Sequence, residues 1–273
     1  MFINRKIYGE LLKHAQTPLV TVLTGMRRTG KTTLVKQILK DIPNKNSIFI
    51  DFQRLDVREM FQEKNYEAIR NNLIAQNMKS TNMIVAIDEM QLVPESPSVI
   101  KYLYDHYGIK FIITGSSSYY LKNLFSESLA GRKKIFELYP LDFGEFLTFK
   151  NIRFSSFAWK NADFDNLEYN RLSSYYNEFI HFGGFPQVVL TENEADKIDN
   201  LKDILSSYIS IDIKALADFS DERNLYSLAK LLANRVGSKI DYSKLSRLTG
   251  VSRPTVKNYL TFFEKTYLIH TVS

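Results

Sequence analysis

Cysteine is absent from the 273 residues. Its absence excludes disulfides, thiolate metal sites and cysteine nucleophiles, and is compatible with a reducing compartment. Histidine is scarce. His14, His106, His181 and His270 lie far apart, without metal-ligand spacing, and read as structural or surface residues. No run approaches the about eighteen apolar residues of a membrane span, and Met1 to Gln16 is amphipathic and charged, without the apolar stretch of a secretion signal. A cytoplasmic location is the expectation. Charge of one sign is also lacking: 36 basic against 30 acidic residues leave +6, too little by itself to name a partner. Repeats and low-complexity tracts are missing, and the single tryptophan, Trp159, sits in a polar stretch (151–170) that reads as an insert or linker.

What is present is Gly25-Met26-Arg27-Arg28-Thr29-Gly30-Lys31-Thr32, a fit to G-x-x-x-x-G-K-[ST]. Before it, 18–24 reads as a short buried strand rich in β-branched residues. After it, from Thr33 to Lys40, Leu34, Val35, Ile38 and Leu39 fall at helical spacing. Strand, glycine loop and helix form the setting in which backbone N–H groups and a helix dipole cradle the phosphates of ATP or GTP. Lys31 is then expected to reach the β- and γ-phosphates and the Thr32 hydroxyl to ligate Mg²⁺. Arg27 and Arg28 are expected to be exposed or structural rather than catalytic. A chance Gly/Lys turn is the competing reading, and the flanks disfavour it.

Further apolar runs at 47–51, 83–87, 111–114 and 135–138 alternate with helical patterns at 57–77 and 98–106. This alternation predicts an α/β fold, a parallel sheet with helices on both faces. Asp88 and Glu89 close the second of these runs. A carboxylate at the C-terminal end of a parallel strand faces the crevice where ligands bind. Asp88 is expected to hold Mg²⁺ through water, and Glu89 to polarise the attacking water. A solvated Asp-Glu pair is the plain alternative, and the upstream loop outweighs it. Within Thr114-Gly115-Ser116-Ser117-Ser118 a hydroxyl contacts the γ-phosphate or the attacking water, or the segment is a solvated turn. Arg132, just before the last run, is a candidate to stabilise transition-state charge at a neighbouring subunit's γ-phosphate. Spacing alone favours a solvated basic turn there.

Beyond Leu141 the pattern is helical at 169–181 and 197–216, separated by Gly183-Gly184-Phe185-Pro186, and continues as a stripe of Leu225, Leu228, Leu231, Leu232 and Val236. Tyr242 to Leu248 reads as a short helix and Thr249-Gly250-Val251 as a turn. Ser252 is an N-cap, and Pro254 falls in the first turn of a second helix. Leu245, Leu248, Val251, Val256, Leu260 and Phe263 are the expected shared core. The spacing fits a helix-turn-helix with Arg253, Thr255, Lys257 and Asn258 exposed. Residues 225–273 hold eight basic and two acidic residues, a net +6. That excess points to DNA phosphates as a partner of Arg253 and Lys257, against a packing module of an ATPase lid.

Thr24-Gly25-Met26-Arg27-Arg28-Thr29-Gly30-Lys31-Thr32-Thr33, Ile87-Asp88-Glu89-Met90-Gln91, Thr114-Gly115-Ser116-Ser117, Leu129-Ala130-Gly131-Arg132, Pro140-Leu141-Asp142-Phe143-Gly144-Glu145-Phe146 and Gly183-Gly184-Phe185-Pro186 occur in that order. Together they resemble the prokaryotic AAA+-type P-loop ATPases whose nucleotide domain is usually joined to a C-terminal domain, DUF4143. The resemblance implies an additional-strand P-loop fold with sheet order 5-1-4-3-2, a helical lid and a winged helix. It also implies nucleotide contacts from Gly25, Met26, Arg27, Arg28, Thr29, Gly30, Lys31, Thr32 and Thr33, with Mg²⁺ held by Thr32 and Asp88. Catalysis falls to Lys31 and Glu89, Ser116 becomes a γ-phosphate sensor, and Arg132 an arginine finger of a homo-oligomer. The nuclease-like DUF4143 domain is expected to be missing from these residues. The expected organisation is an AAA+-like core (1–150), an insert and helical lid (151–224), and a winged helix-turn-helix (225–273). The expected function is Mg²⁺-dependent ATP hydrolysis by a switch or motor component. The alternative is a nucleotide-gated DNA-binding or regulatory module with little hydrolysis, and a scaffold that merely keeps the fold is a third. GTP stays open, although no Asn-Lys-x-Asp guanine pattern occurs.

Overall fold

The computed structural model describes residues 2–76, 78–115, 129–154, 166–208 and 222–272. Five short strands, β1 (Val20–Thr24), β2 (Ser47–Asp51), β3 (Ile84–Asp88), β4 (Lys110–Gly115) and β5 (Lys133–Glu137), pair in parallel in the order β2-β3-β4-β1-β5. This is the 5-1-4-3-2 order that the family resemblance implies. β1, β3 and β4 are buried along their whole length, as strands covered on both faces must be.

The pleat sorts neighbouring residues to opposite faces. Val85 and Ile87 join Phe52, Phe61, Leu73, Ile100 and Leu103 on one side, beneath α3 (Leu55–Phe61), α4 (Tyr66–Ala75) and α5 (Ser96–Tyr107). Ile84 and Ala86 join Leu11, Leu34, Val35 and Ile38 on the other, beneath α1 (Tyr8–Ala15) and α2 (Lys31–Asp41). The single helix expected over 57–77 is two, because the Asn65 side chain accepts the Glu67 N–H at 3.0 Å and starts a new one. At the N-terminal edge of the sheet, buried Lys110 donates to the Leu19 and His14 carbonyls and the Thr21 hydroxyl, tying α1 to β1. Burial pushes this lysine down to about 7.

The rest is helical: α6 (Phe143–Phe149), α7 (Asn166–Phe182), α8 (Pro186–Leu190), α9 (Glu194–Ser207), α10 (Glu222–Ala233), α11 (Tyr242–Thr249) and α12 (Arg253–Lys265). α11 ends on Gly250 in the left-handed region, and the Ser252 hydroxyl accepts the Thr255 N–H to start α12, as the helix-turn-helix reading requires. Leu245, Val256, Leu260 and Phe263 are its buried core. Two residues depart from expectation. Leu248, in the last turn of α11, is 51% exposed. Val236 is 87% exposed, because α10 has ended at Ala233 and the apolar stripe ends with it. Among the described residues no strand follows α12, so the helix pair is seen without a wing. Trp159 and most of the polar insert lie outside the described residues, as do residues 209–216 of the helical pattern expected over 197–216. No helix among the described residues is long and apolar enough to cross a membrane.

Candidate nucleotide-binding site

The glycine loop joins the C-terminal end of β1 to the N-terminus of α2. Gly25 presses against the strand exit beyond β5: a Cβ there would lie 2.1 Å from the Leu138 carbonyl oxygen, so only glycine fits. Gly30, at φ 99°, turns the chain into α2. Lys31, 4% exposed, donates from Nζ to the Gly25 and Met26 carbonyls at 2.9 and 2.7 Å, and the Thr29 hydroxyl donates to Met26 O at 2.9 Å. The ammonium is thus held at the base of the loop, where phosphate oxygens can replace the carbonyls.

Across β4 from this loop stands the carboxylate pair. Thr32 Oγ1 donates to Asp88 Oδ2 at 2.7 Å, joining two motifs 56 residues apart. A hydroxyl and a carboxylate in contact at a helix start are hard oxygen ligands suited to Mg²⁺. The Thr114 hydroxyl donates to the other Asp88 oxygen and accepts the Glu89 N–H at 3.2 Å, so one threonine fixes both acidic residues. β3 and β4 pair Ile87 with Ile113, which brings Asp88 alongside Thr114 at the next position. Burial raises the Asp88 carboxyl above its ordinary value; the Thr114 and Thr32 hydroxyls oppose that shift, and the nearby Glu89 and Asp51 charges add to it. Glu89 is left-handed at φ 55°, an uncommon conformation for a non-glycine residue. Its carboxylate accepts from the Gln91 side chain. Glycine geometry, ammonium, hydroxyl and carboxylates together fit a Mg²⁺–nucleotide.

Asp88 carries a testable consequence. A carboxyl whose folded value exceeds its unfolded one binds its proton more tightly in the folded state. This contribution to stability is lost as pH rises through the window between the two values, and the full penalty stands above it. Asp88→Asn removes that penalty at neutral pH. Thermal melting of the metal-free variant is expected a few degrees above the parent, with any Mg²⁺-dependent stabilisation by ATP lost. A lower melting temperature together with intact Mg²⁺ dependence would contradict this.

The loop is also gripped from the C-terminal side, which the sequence did not signal. Met26, 9% exposed, packs with Tyr208, Leu225, Leu228, Tyr259 and Phe263, and Arg28, at φ 61°, donates to Gln187 Oε1 on α8 at 2.8 Å. Arg28 is exposed, in keeping with a structural role, while Arg27 is partly buried. Thr33 is exposed in the first turn of α2.

Arg132 is not brought to this place within one chain. Arg132 precedes β5, at the N-terminal edge of the sheet and opposite its own glycine loop, where its Nε pairs with Asp105 Oδ1 at 2.9 Å. Ser116 lies outside the described residues; its neighbour Thr114 supplies the hydroxyl seen at the carboxylates. Arg253 and Lys257 are exposed on the first turns of α12. Among the described residues no histidine or carboxylate cluster forms a metal site of its own.

In comparison with known proteins, residues 17–147 match the AAA domain family. This segment, just under half of the chain, is an AAA domain. Residues 173–273 match a domain of unknown function, DUF8612. DUF4143, which usually follows in the family that the sequence resembles, was expected to be missing from these residues, and the C-terminal match is to DUF8612 instead. An uncharacterized protein of Methanocaldococcus jannaschii is 31% identical over 98% of this chain and 58% of its own length. One from Haemophilus influenzae is 28% identical over 98% and 66%. The chain therefore spans about three fifths of these relatives. Among solved structures, the Aeropyrum pernix ORC1 protein in complex with DNA aligns at 12% identity and TM-score 0.48, over all of this chain and 86% of that one. The Thermotoga maritima RuvB Holliday junction branch migration motor aligns at 16% and 0.46, over 99% and 90%.

Proposed function

We propose that this AAA+ protein binds ATP with Mg²⁺ between the glycine loop and the β3 carboxylates and hydrolyses it, as a switch or motor component. The observation that supports this most is the Thr32–Asp88 contact at 2.7 Å, which makes one site of the two motifs. In it Lys31 faces the β- and γ-phosphates, Thr32 and Asp88 hold the metal, and Glu89 orients water in line with the γ-phosphate. Ser116 acts as γ-phosphate sensor. Residues 1–150 form the nucleotide core, 151–224 the insert and lid, and 225–273 the helix-turn-helix unit. Titration with ATP and GTP, with Mg²⁺ and with chelator, tests the site. Saturable ATP binding weakened by chelation is expected, and no binding of either nucleotide would contradict the reading.

Arg132 is too far round the sheet to serve its own glycine loop, so its role as a finger requires a second copy. Mixed Arg132→Ala and Lys31→Ala proteins should recover part of the turnover that each lacks, because one mixed interface keeps both halves. No recovery in a demonstrated mixed oligomer would make Arg132 a surface residue paired with Asp105.

A second reading, contact with duplex DNA, is favoured by a cleft of about 1010 Å³ beside the start of α12. Arg235, Lys239, Lys244 and Arg253 line it, and among the described residues none of the four is in an ion pair. Its carboxylate, Asp241, is engaged in capping α11. Phosphate contacts dominate such binding and make it salt-dependent. Replacing Arg253 and Lys257 by Ala should weaken duplex binding and flatten the log–log salt slope by up to about two units, read by fluorescence anisotropy at several salt concentrations. Any sequence preference should come from Thr255 or Asn258. No binding at low salt would leave α11 and α12 as a packing module.

A further inference from the structure

Arg5 lies at the beginning of the chain, outside every motif, yet is 7% exposed. Its guanidinium makes a fork with Glu145, Nε to Oε1 at 2.9 Å and Nη2 to Oε2 at 3.1 Å. Two donors remain engaged elsewhere: Nη2 meets Tyr139 O at 2.8 Å and Nη1 meets Thr29 O at 2.9 Å. Glu145 is 7% exposed and is itself anchored. It accepts the Lys6 N–H at 2.7 Å and closes the capping box that Asp142 opens at the start of α6. A buried fork with four hydrogen bonds fixes position more than it adds stability, since desolvation offsets much of the attraction between the charges.

What the fork fixes is one peptide of the glycine loop. The Thr29–Gly30 peptide is planar and trans, so its C=O and N–H point in opposite directions. With the Thr29 carbonyl held by Arg5, the Gly30 N–H is turned away from the fork. Gly30 itself, at φ 99°, has few steric restraints of its own, and the same peptide could rotate if the carbonyl were released. We infer that Arg5 is a positioning residue for nucleotide. Held by Glu145, it sets the Thr29–Gly30 peptide so that the Gly30 N–H donates to a phosphate oxygen of a nucleoside diphosphate or triphosphate. The guanidinium touches no phosphate; it acts through the backbone. This rests on the nucleotide reading above and extends it to residues about 140 positions apart in sequence.

Two substitutions separate positioning from simple structural support. Arg5→Lys keeps a charge opposite Glu145, but a single ammonium cannot span the carboxylate and the Thr29 carbonyl as the fork does. Glu145→Gln keeps an acceptor and leaves Arg5 on Thr29, while weakening the buried pair. With Mg²⁺-ADP as the probe, Arg5→Lys should raise Kd about tenfold, the equivalent of one charge-assisted hydrogen bond, and Glu145→Gln by no more than about twofold even if its melting temperature falls. In protein labelled with ¹⁵N-glycine, the Gly30 amide proton should move downfield on ADP addition in the parent and in Glu145→Gln, and much less in Arg5→Lys. If Arg5→Lys does not fold, the charge-free pair Arg5→Met with Glu145→Leu replaces it, with the same expected loss. Parental ADP affinity in folded Arg5→Lys, or affinity that follows melting temperature across the variants, would overturn the inference. A parent protein that does not bind ADP would overturn the nucleotide reading and this inference together.

Discussion

Lys31→Ala protein is expected to show no rise in melting temperature when ATP and Mg²⁺ are added. Ligand at a hundredfold its dissociation constant stabilises a folded protein by about 2.7 kcal/mol, which in a domain of this size amounts to roughly 5–10 °C. The parent should show that rise. In the present geometry the ammonium is held on two loop carbonyls, so its substitution removes the cation poised at the base of the loop. The metal-free variant has its own baseline, because those carbonyls lose their donor; the ligand-dependent increment is the quantity that decides. An undiminished increment would remove Lys31, and with it the glycine loop, from the nucleotide site.

The second large effect is on turnover rather than binding. Glu89→Gln keeps the size of the side chain and its capacity to bond Gln91, but it cannot polarise water as a base. ATP should therefore bind with near-parental affinity while phosphate release falls by roughly a hundredfold or more. The left-handed Glu89 backbone and the Thr114 bond to its N–H hold the residue in place independently of its charge, so the substitution is expected to leave the site's shape unchanged. A Glu89→Gln protein that hydrolyses ATP at the parental rate would move the catalytic role to another residue. A variant that no longer binds ATP would show that Glu89 belongs to the binding site.

These effects attach to residues that were legible in the sequence for a physical reason. The glycine loop and Asp88-Glu89 announce themselves through local neighbours: a β-branched run before, an apolar helix after, a carboxylate at a strand end. The strands were legible because runs buried on both faces must be continuously apolar, and Ile84–Asp88 and Lys110–Gly115 fall within a residue or two of expectation. Helix boundaries set by caps, such as Ser252 and Gly250, were legible too. The division of 57–77 was missed because the apolar pattern runs across the Asn65 cap. Val236 was assigned to a stripe whose helix had already ended, and Leu248 to a core that the last turn of α11 does not face.

What sequence could not supply is contact between distant segments. Thr114 meets Asp88 only because β4 lies beside β3, a fact of sheet order, and within Thr-Gly-Ser-Ser-Ser nothing local distinguishes it from the serines that follow. Met26 reads as a variable position of the loop motif, yet it is buried among α10, α11 and α12 residues. Arg5 gives no local signal. Asp142 and Glu145 close a capping box in the structure, which does not name the partner that Glu145 takes. The C-terminal match to DUF8612 was not legible for the same reason: the helix-turn-helix pattern is local, whereas the match rests on 173–273 as a whole.

The most direct test of Mg²⁺-dependent ATP hydrolysis at this site is phosphate release from ATP and from GTP by purified protein, measured against nucleotide concentration with and without Mg²⁺. The account predicts release that saturates with ATP, needs Mg²⁺, and is lost in both Lys31→Ala and Glu89→Gln. Release that persists in both variants, or a parent protein that binds Mg²⁺-ATP yet releases no phosphate as a demonstrated oligomer, would contradict it.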